Sequence, residues 1–251
     1  MTSRDLIMTT RREAFTLVEL LVVIGMISLL AALILPSLAT ARHTAHRIRC
    51  VSNLRQLGLA STMYWNDHEG RTFRYRGAST NGGDVFWFGW LERWTPSNEG
   101  QRAFDVRQSA LHPYLQGRGV ESCPALRRES GFKWKAAGAT YGFGYNRHLS
   151  TPLHEPPLAM GEVRHPEETV FLSDAAQVNT FQHPATPDHP LLEEFYYVSA
   201  DEATVHFRHR LRANALFSDG HVDGTSAEEG SWDARMPAAR VGRLPEGMLK
   251  P

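Results

Sequence analysis

The stretch that decides the fold of this chain reads Arg11-Arg12-Glu13-Ala14-Phe15-Thr16-Leu17-Val18-Glu19-Leu20-Leu21-Val22-Val23-Ile24. Two arginines and a small residue precede an aromatic residue, which begins a predominantly apolar run of 21 residues from Phe15 to Leu35, with Glu19 as its one charge. A helix of roughly 20 apolar residues is long enough to cross a bilayer. An acid inside such a segment is costly in hydrocarbon, which marks Glu19 as a functional residue with a partner still to be found.

The helical pattern continues beyond this apolar run. A set of apolar and small residues recurs at steps of three and four, which is the period of one helix face. The recurring residues are Ile48, Val51, Leu54, Gly58, Ser61 and Trp65. Polar residues such as Asn53 and Arg55 fill the other faces. The sequence therefore predicts one long helix over residues 15–67. A bend is expected near Pro36, because proline removes a backbone donor and clashes with the preceding turn.

The N-terminal stretch closely resembles the processing site of type IV prepilins and type II secretion pseudopilins. In that family a basic leader ends at a small residue, where a prepilin peptidase/methylase cuts the chain and methylates the new N-terminal aromatic residue. The resemblance implies a cut after Ala14, methylation of Phe15, and Glu19 as the acid at the fifth mature position. Pro36 matches a proline that often bends the helix of the family. The family usually has glycine where this chain has Ala14, and Met8 offers a second start.

The resemblance also implies what Glu19 does. In a helical fibre, its carboxylate pairs with the free α-amine of Phe15 on a neighbouring subunit, so that each charge loses much of its penalty in hydrocarbon. Such a pair would also set the stagger between subunits, a registry role attested for some buried polar groups. The alternative is that Glu19 lies near a helix end and reaches toward the lipid headgroups.

The same resemblance implies a location and a set of partners. It predicts an inner-membrane protein with one membrane-spanning helix and an extracytoplasmic C-terminal domain, which then enters a pilus or pseudopilus fibre. The implied partners are the prepilin peptidase/methylase, further copies or other pilins, an assembly-platform membrane protein, and its cytoplasmic ATPase. The sequence does not distinguish adhesion, motility, secretion and DNA-uptake fibres, nor a major from a minor subunit.

A secretory signal peptide is the competing interpretation of the N-terminus. Such a peptide has a basic start, an apolar core and a small-x-small cleavage site, for which Ala39-Thr40-Ala41 would serve. Its core usually has about 7–15 residues, fewer than the apolar run of this chain. An acid inside that core would be unusual, and the helical pattern continues after Ala41 instead of breaking.

Length and charge limit the broad class of the protein. The chain has 251 residues and a formal net charge of zero, which argues against a nucleic-acid-binding surface as its main function. Residues 1–14 form the leader and residues 15–67 the helix, after which residues 68–225 suffice for one globular domain with its own core. Residues 226–251 are rich in glycine, proline and charge, and they are expected to form an irregular, extended or poorly ordered tail.

Short β-like runs, rich in aromatic and β-branched residues and bounded by turn formers, follow the helix. They are residues 140–145, 169–172, 195–199, 204–208 and 214–217. Residues 213–223 predict a hairpin with Asp219-Gly220 in a type I′ turn, because both central residues of that turn need positive φ. The predicted fold class is α+β, in which a long N-terminal helix, transmembrane in its first half, packs on a small, mainly antiparallel sheet. That architecture matches pilins.

An aromatic segment lies at residues 84–94. Trp87, Trp90, Leu91 and Trp94 fit one face of a short helix. Two interpretations stay open, since the tryptophans either join the core and cover the long helix or form a platform for sugar rings. The platform belongs to an alternative function, in which the chain is a membrane-anchored extracytoplasmic module that binds a glycan or a metal.

A second resemblance covers the C-terminal half of the chain. His209 is followed by nine residues and then by Asp219-Gly220, which resembles the processing-associated H-x9-DG family of pilin-like proteins. The segment Cys50–Ala60 resembles the helix signature of that family, and Cys123-Pro124 and Asp174 resemble later landmarks. The resemblance therefore spans nearly the whole chain.

The two cysteines of the chain, Cys50 and Cys123, are candidates for a disulfide if the domain lies outside the cytoplasm. A bridge would staple the helix to the domain, and loop-closure models give it about 3–5 kcal/mol. Two free, buried cysteines are the alternative, because geometry decides whether the sulfurs meet.

A group of four residues, His209, Asp219, His221 and Asp223, is the candidate metal site. Imidazoles and carboxylates together bind zinc or another transition metal. The alternative is a plain turn, in which His209 hydrogen-bonds to the backbone or to Asp219. Apart from this structural metal, no cofactor is predicted. The sequence contains no nucleophile elbow, phosphate-cradling glycine loop or His-Glu-x-x-His motif, and we expect no catalytic residue and no enzymatic activity.

Overall fold

The computed structural model describes residues 16–117, 121–126, 129–136, 138 and 141–251. These residues form one α-helix and fourteen β-strands, so the predicted α+β class is confirmed. Helix α1 spans Leu17–Asp67 and contains 51 residues, with Pro36 inside it and no interruption. Ala14, Phe15 and the rest of the predicted leader lie outside the described residues.

The strands are short and distributed over the whole domain. In chain order they are β1 (Arg76–Thr80), β2 (Gly83–Phe86), β3 (Gly89–Glu92), β4 (Phe104–Asp105), β5 (Phe132–Lys133), β6 (Phe143–Asn146), β7 (Val170–Asp174), β8 (Ala176–Asn179), β9 (Leu191–Glu194), β10 (Tyr197–Val198), β11 (Val205–His206), β12 (Ala213–Phe217), β13 (Val222–Thr225) and β14 (Val241–Gly242). Short 3-10 helices lie between them at Val106–Gln108, His112–Leu115, Arg147–Leu149, Met160–Glu162, Pro237–Ala239 and Glu246–Met248.

The chain divides into two compact units, residues 1–42 and residues 43–251. In the described part of the first unit, α1 exposes long apolar side chains on every side, and Leu17 and Leu33 are 76% and 71% exposed. The helix is long and apolar enough to cross a membrane, a test that a signal sequence near the N-terminus also passes. The prediction of a helix able to span a bilayer is confirmed as far as the length and composition of the helix are concerned.

In the second unit, α1 buries one face. The buried residues recur at helical spacing and are mostly small or polar: Cys50, Asn53, Leu54, Leu57, Gly58, Ala60 and Ser61. The predicted face is correct at Leu54, Gly58 and Ser61, whereas Ile48 is 64% exposed and Asn53, predicted on a polar face, is buried. Hydrophobic periodicity finds a helix but does not say which face a domain covers.

The buried face of α1 packs on a five-stranded sheet with the strand order β10-β6-β7-β12-β13. All neighbours in this sheet are antiparallel except β10 and β6. Leu54 and Leu57 share a core with Leu172 of β7 and Leu216 of β12. A Cβ on Gly58 would lie 2.9 Å from a Leu216 methyl carbon, so glycine lets the helix approach β12 closely.

Three further sheets complete the domain, which therefore contains more sheet than the single small one predicted. Strands β1 to β4 form an antiparallel meander, β5-β9-β8 form a mixed sheet, and β11 pairs with β14. Antiparallel pairs predominate, as the sequence predicted, and β5/β9 is a parallel pair.

The aromatic segment forms strands and no short helix, so that prediction is wrong. Strands β2 and β3 are antiparallel partners, and Trp87 lies in the turn between them. The indole of Trp87 is buried, and its Nε1 donates to the Tyr196 carbonyl at 2.9 Å. Trp90 donates to the Thr80 carbonyl at 2.8 Å, and Trp94 is partly exposed. Aromatic and β-branched residues favour a pleated, half-buried surface, which outweighed the helical spacing.

Residues 226–251 pack into the domain, and the expectation of an extended or poorly ordered tail is wrong. Strand β14 pairs with β11, and Leu244 and Leu249 are fully buried. The Asn146 side chain donates to the Leu249 carbonyl at 2.8 Å. The segment is irregular, yet single apolar residues without periodicity are enough to anchor it in the core.

Strands β12 and β13 form the predicted hairpin, but its turn differs from the expected type. Gly220 has a φ of +96°, whereas Asp219 does not have a positive φ. Phe217 donates its N–H to the His221 carbonyl at 2.9 Å, which closes a three-residue loop. A loop of that length places glycine at one left-handed position, so a type I′ turn is not required.

Candidate functional site

Four buried side chains meet where the first buried residue of α1 contacts β7 of the five-stranded sheet. We call Cys50, Cys123, Asp174 and His209 the Cys–Asp–His cluster; their sulfur, oxygen and nitrogen atoms all lie within 4.8 Å of one another. Each member comes from a different segment. Cys50 is on α1, Cys123 is in an irregular segment, Asp174 ends β7, and His209 follows β11.

The turn that begins at His209 has strained backbone geometry. His209 and Arg212 exchange two backbone hydrogen bonds, of 3.0 and 3.2 Å. The residues between them, Arg210 and Leu211, have φ of +54° and +62°. Two positive φ angles are typical of a type I′ turn, and side chains other than glycine adopt them at a cost of about 1–3 kcal/mol each. The strain occurs where the chain must turn Arg208 and His209 into the interior.

Asp174 is the centre of the cluster. Its Oδ1 accepts from Arg208 Nη2 at 2.7 Å and from the Cys50 thiol at 3.1 Å. Its Oδ2 accepts from the Asn214 N–H at 2.8 Å and lies 3.4 Å from His209 Nε2. Burial opposes ionisation, but the Arg208 charge and these hydrogen bonds outweigh it and lower the pKa of Asp174.

Arg208 is fully buried beside the cluster and is satisfied on several sides. Besides Asp174, its guanidinium donates to the Gly142 carbonyl at 2.7 Å and to His206 Nδ1 at 3.0 Å. Burial and the Arg208 charge lower the pKa of His206, which is therefore neutral. Removing one partner of a buried ion pair costs about 3–5 kcal/mol, because the other charge is left uncompensated.

The two thiols experience different environments. Burial raises the pKa of Cys50. Contact with the neighbouring Cys50 thiol lowers the pKa of Cys123, with further contributions from Arg208 and from His209 Nε2, which lies 3.4 Å from the Cys123 sulfur. Both cysteines are free in this structure, and the fold brings together the two residues that the sequence marked as disulfide candidates.

The metal ligands predicted from the sequence are not brought together. Asp219 and His221 form an exposed pair on the hairpin loop, with Oδ1 and Nδ1 2.7 Å apart, and Asp223 accepts from the Gly224 N–H. His209 lies before the first residue of β12 and Asp219 after the last, a separation of roughly 16 Å for five extended residues. In the described part of the chain, the Cys–Asp–His cluster is the one group with three or more such ligand atoms in reach of each other.

Sequence reasoning missed Asp174 and Arg208 as site residues. In the sequence, Asp174 stands out only as a landmark of the H-x9-DG resemblance, although it ends the apolar strand β7, where a charge requires a buried partner. Arg208 directly precedes His209, and nothing in its local sequence distinguishes it from the exposed arginines nearby. Its role comes entirely from where the fold places it.

Glu19 lies in the first turn of α1 and forms a reciprocal cap with Thr16. The Glu19 N–H donates to Thr16 Oγ1 at 3.2 Å, and Glu19 Oε2 accepts from the Thr16 N–H at 2.9 Å. It also accepts from the Thr16 hydroxyl at 2.8 Å. This arrangement is a capping box, which satisfies donors that the helix end would otherwise leave unpaired. In the single chain, the partner of Glu19 is therefore Thr16.

A polar and aromatic cleft of about 630 Å³ lies in the second unit. Trp94 and Phe181 are its exposed aromatic side chains, with exposures of 37% and 69%. Several of its cations already have acidic partners, among them Arg76, whose Nη2 lies 3.0 Å from an Asp84 oxygen. The predicted platform of three tryptophans is not formed, because Trp87 is in the core and is not among the cleft residues.

Comparison with known proteins adds no relative: no family model matches this sequence, and neither a curated protein nor a solved structure matches it. Function is therefore inferred from the residues of this chain and their geometry. Two features support separate inferences, namely the exposed apolar half of α1 with its single carboxylate and the buried Cys–Asp–His cluster.

Proposed function

We propose that this chain is a structural subunit of a type IV pilus-like or type II secretion pseudopilus fibre. It is inserted in the inner membrane, cut between Ala14 and Phe15, and assembled through the first half of α1. Its role is mechanical and interfacial, without turnover of its own. The expected partners are a prepilin peptidase/methylase, further copies or other pilins, an assembly-platform membrane protein and its ATPase.

One observation carries this proposal: the apolar side chains of α1 before residue 42 are exposed, and Glu19 is the one charge among them. A soluble protein does not leave so large an apolar surface exposed unless a membrane or another chain covers it. A plain anchor has no need of a carboxylate in its first turns, whereas a fibre subunit can use it to recognise a neighbour.

The capping box refines the expected role of Glu19. In the single chain its carboxylate accepts hydrogen bonds from Thr16. In a fibre, the proposed α-amine of Phe15 on a neighbouring subunit would replace or share those bonds with a charged donor. Hydrogen bonds to charged donors are stronger than neutral ones, so assembly is favoured over the monomer.

Intact-mass and N-terminal analysis of the protein recovered from membranes tests the processing step. We expect a chain that begins at Phe15 and carries one added methyl group. A chain that begins after Ala41 would identify a secretory signal peptide and contradict the proposal. An uncut N-terminus would also contradict it.

A set of variants at the helix start tests the role of the charge. Glu19→Gln keeps a side chain that can complete the capping box but removes the charge, whereas Glu19→Ala removes both. We expect both variants to insert in the membrane normally and to be nearly absent from assembled fibres, measured as subunit in the fibre fraction against subunit in the membrane.

The matched control is Glu121→Gln, which neutralises an exposed carboxylate that pairs with Arg49 in the second unit. This variant is expected to assemble like the wild type. Normal assembly of Glu19→Gln together with loss of assembly in Glu19→Ala would assign Glu19 to capping and would refute the charge pair.

A membrane-anchored binding module is the second candidate function, and the cleft with Trp94 and Phe181 favours it. Exposed aromatic rings beside polar groups are a common arrangement in ligand sites. Under this function, Glu19→Gln and Glu19→Ala would have no effect, and Trp94→Ala would weaken binding of a soluble oligosaccharide.

A further inference from the structure

We propose that the Cys–Asp–His cluster is a structural zinc site in which Cys50 Sγ, Cys123 Sγ, His209 Nε2 and one carboxylate oxygen of Asp174 are the four ligands. The site replaces the ligand set predicted from the sequence and keeps only His209 from it. The proposal is independent of fibre assembly, because every ligand lies in the second unit.

The chemistry of the donors selects the metal. Two sulfurs, one imidazole nitrogen and one carboxylate oxygen form a borderline-soft set that suits zinc, which takes four such ligands in structural sites. Calcium and magnesium prefer oxygen ligands and larger coordination numbers, and the cluster offers one carboxylate. All four residues are buried, as expected of a closed structural site without an open position for substrate.

The spacing of the donor atoms fits a tetrahedron. Zinc bonds of about 2.0–2.3 Å at tetrahedral angles separate neighbouring ligand atoms by about 3.3–3.8 Å. The Cys123 sulfur and the Asp174 Oδ2 atom each lie 3.4 Å from His209 Nε2. The remaining pairs of the set are within 4.8 Å, so the cluster closes on an ion by shifts of about 1 Å or less.

The charges around the cluster balance when zinc is bound. With zinc bound, two thiolates and the Asp174 carboxylate face Zn²⁺ and the Arg208 guanidinium. The sum is zero, so a fully buried site carries no net charge into a low-dielectric interior. Arg208 and the Asn214 N–H already donate hydrogen bonds to the Asp174 carboxylate, and ligating carboxylates are usually hydrogen-bonded in this way.

The fold gives zinc access from the surface and a structural role in linking four segments of the domain. His209 lines a surface cavity of about 190 Å³ together with His43 and Arg212, so the cluster lies one imidazole away from solvent. Its ligands at positions 50, 123, 174 and 209 belong to α1, an irregular segment, β7 and the turn after β11. An ion bound here joins the helix to three distant parts of the domain, and its binding free energy adds to folding.

Metal content of the full chain is the first test. The chain is extracted in detergent without oxygen or chelator, dialysed, and measured for zinc and for disulfide. We expect about one zinc per chain and thiols that react only after a chelator is added. A chain without zinc after reconstitution, or one whose cysteines form a disulfide, would overturn the proposal.

Variants identify the ligands. Cys123→Ser and His209→Gln are expected to lose zinc, whereas the double variant Asp219→Asn/His221→Gln, which removes ligands predicted from the sequence, is expected to keep it. Zinc lost from the double variant and kept in the single variants would overturn the assignment.

Cobalt substitution in the wild type covers the case in which the cysteine or histidine variant fails to fold. Tetrahedral Co²⁺ with thiolate ligands gives strong visible bands and a sulfur-to-metal charge-transfer band in the near ultraviolet. We expect both bands, with one equivalent of cobalt displaced by zinc. Weak octahedral bands without charge transfer would mean that no thiolate binds the metal, and the proposal would be wrong.

Discussion

The two halves of α1 belong to one helix, yet the first exposes its apolar side chains on every side and the second buries one face. Before residue 42 its long apolar side chains are exposed, as Leu33 is at 71%. From Cys50 to Ser61 it buries a face made largely of small or polar residues. The first half therefore has an apolar surface that the single chain does not cover, whereas the second half packs on its own domain.

The difference shows what local sequence can determine. Hydrophobicity and the capping box at Thr16 and Glu19 define the first half without any distant residue. The second half derives its environment from β7 and β12, which the chain reaches more than a hundred residues later. Substitutions in the two halves should therefore differ in what they change, namely assembly in one and folding in the other.

A pair of leucines five positions apart gives the largest expected effect. Leu54 is fully buried against the sheet, whereas Leu59 is 69% exposed on the same helix. We expect Leu54→Ala to lower the free energy of unfolding by about 2–5 kcal/mol, because it leaves a cavity in a packed core. Leu59→Ala should change it by about 0.5 kcal/mol or less.

The measurement is denaturant unfolding of the full chain in detergent, followed by the fluorescence of its six tryptophans, all of which lie in residues 43–251. A loss in Leu59→Ala equal to that in Leu54→Ala would break the comparison, since it would mean that the second half is covered on both sides.

A buried acid makes the stability of the second unit depend on pH. Glu194 is fully buried at the end of β9, and burial raises its pKa to about 7 from an ordinary 4.5. Between these values the folded state keeps a proton that the unfolded state has released. Stability therefore falls as pH rises from 4.5 to 7, by about 3 kcal/mol at most, and stays lower above pH 7.

Glu194→Gln removes this term, because an amide does not titrate. Unfolding free energies of wild type and variant, measured from pH 4.5 to 8, should therefore diverge as pH rises, with the variant the more stable above pH 7. Parallel curves would show that Glu194 is ionised in the folded protein.

The smallest effect is expected at the start of the apolar half. Thr16→Ala removes the hydroxyl that caps the helix, which costs about 1 kcal/mol, confined to the first turn. Amide exchange in micelles should become faster at the first residues of α1, while the unfolding of the second unit is unchanged. Because the Glu19 charge is retained, fibre assembly should be nearly normal; its loss would give the cap a larger role than the charge.

Much of the helix could be predicted from the sequence, because its signals are local. The apolar run and the three-and-four spacing predict α1 nearly to its ends. The β12–β13 hairpin is likewise marked by Asp219-Gly220, although glycine serves more than one turn type and the predicted type was wrong. Turn chemistry gave no sign of the strained turn at Arg210 and Leu211, since neither residue type favours positive φ.

The cluster could be predicted only in parts. Cys50 and Cys123 are a candidate pair because they are the two cysteines of the chain, and His209 is marked by its place in the H-x9-DG pattern. The cluster includes Asp174 and does not include Asp219. This outcome depends on the register of β7 and β12, which sets the residues that lie at each end of the two strands. One sequence contains no measure of that register, so the sequence groups His209 with carboxylates that the fold places elsewhere.

The position of β14 in the sequence determines when the domain can close during synthesis. Strand β11 forms a two-stranded sheet with β14, and Leu244 and Leu249 fill the core beside it. Until residues 241–249 have been synthesised, β14 and the two leucines are missing, and the apolar side chains that they cover stay exposed. The domain therefore closes only after this segment has been made, and until then it exposes apolar surface that is prone to aggregation, while the apolar half of α1 is already complete.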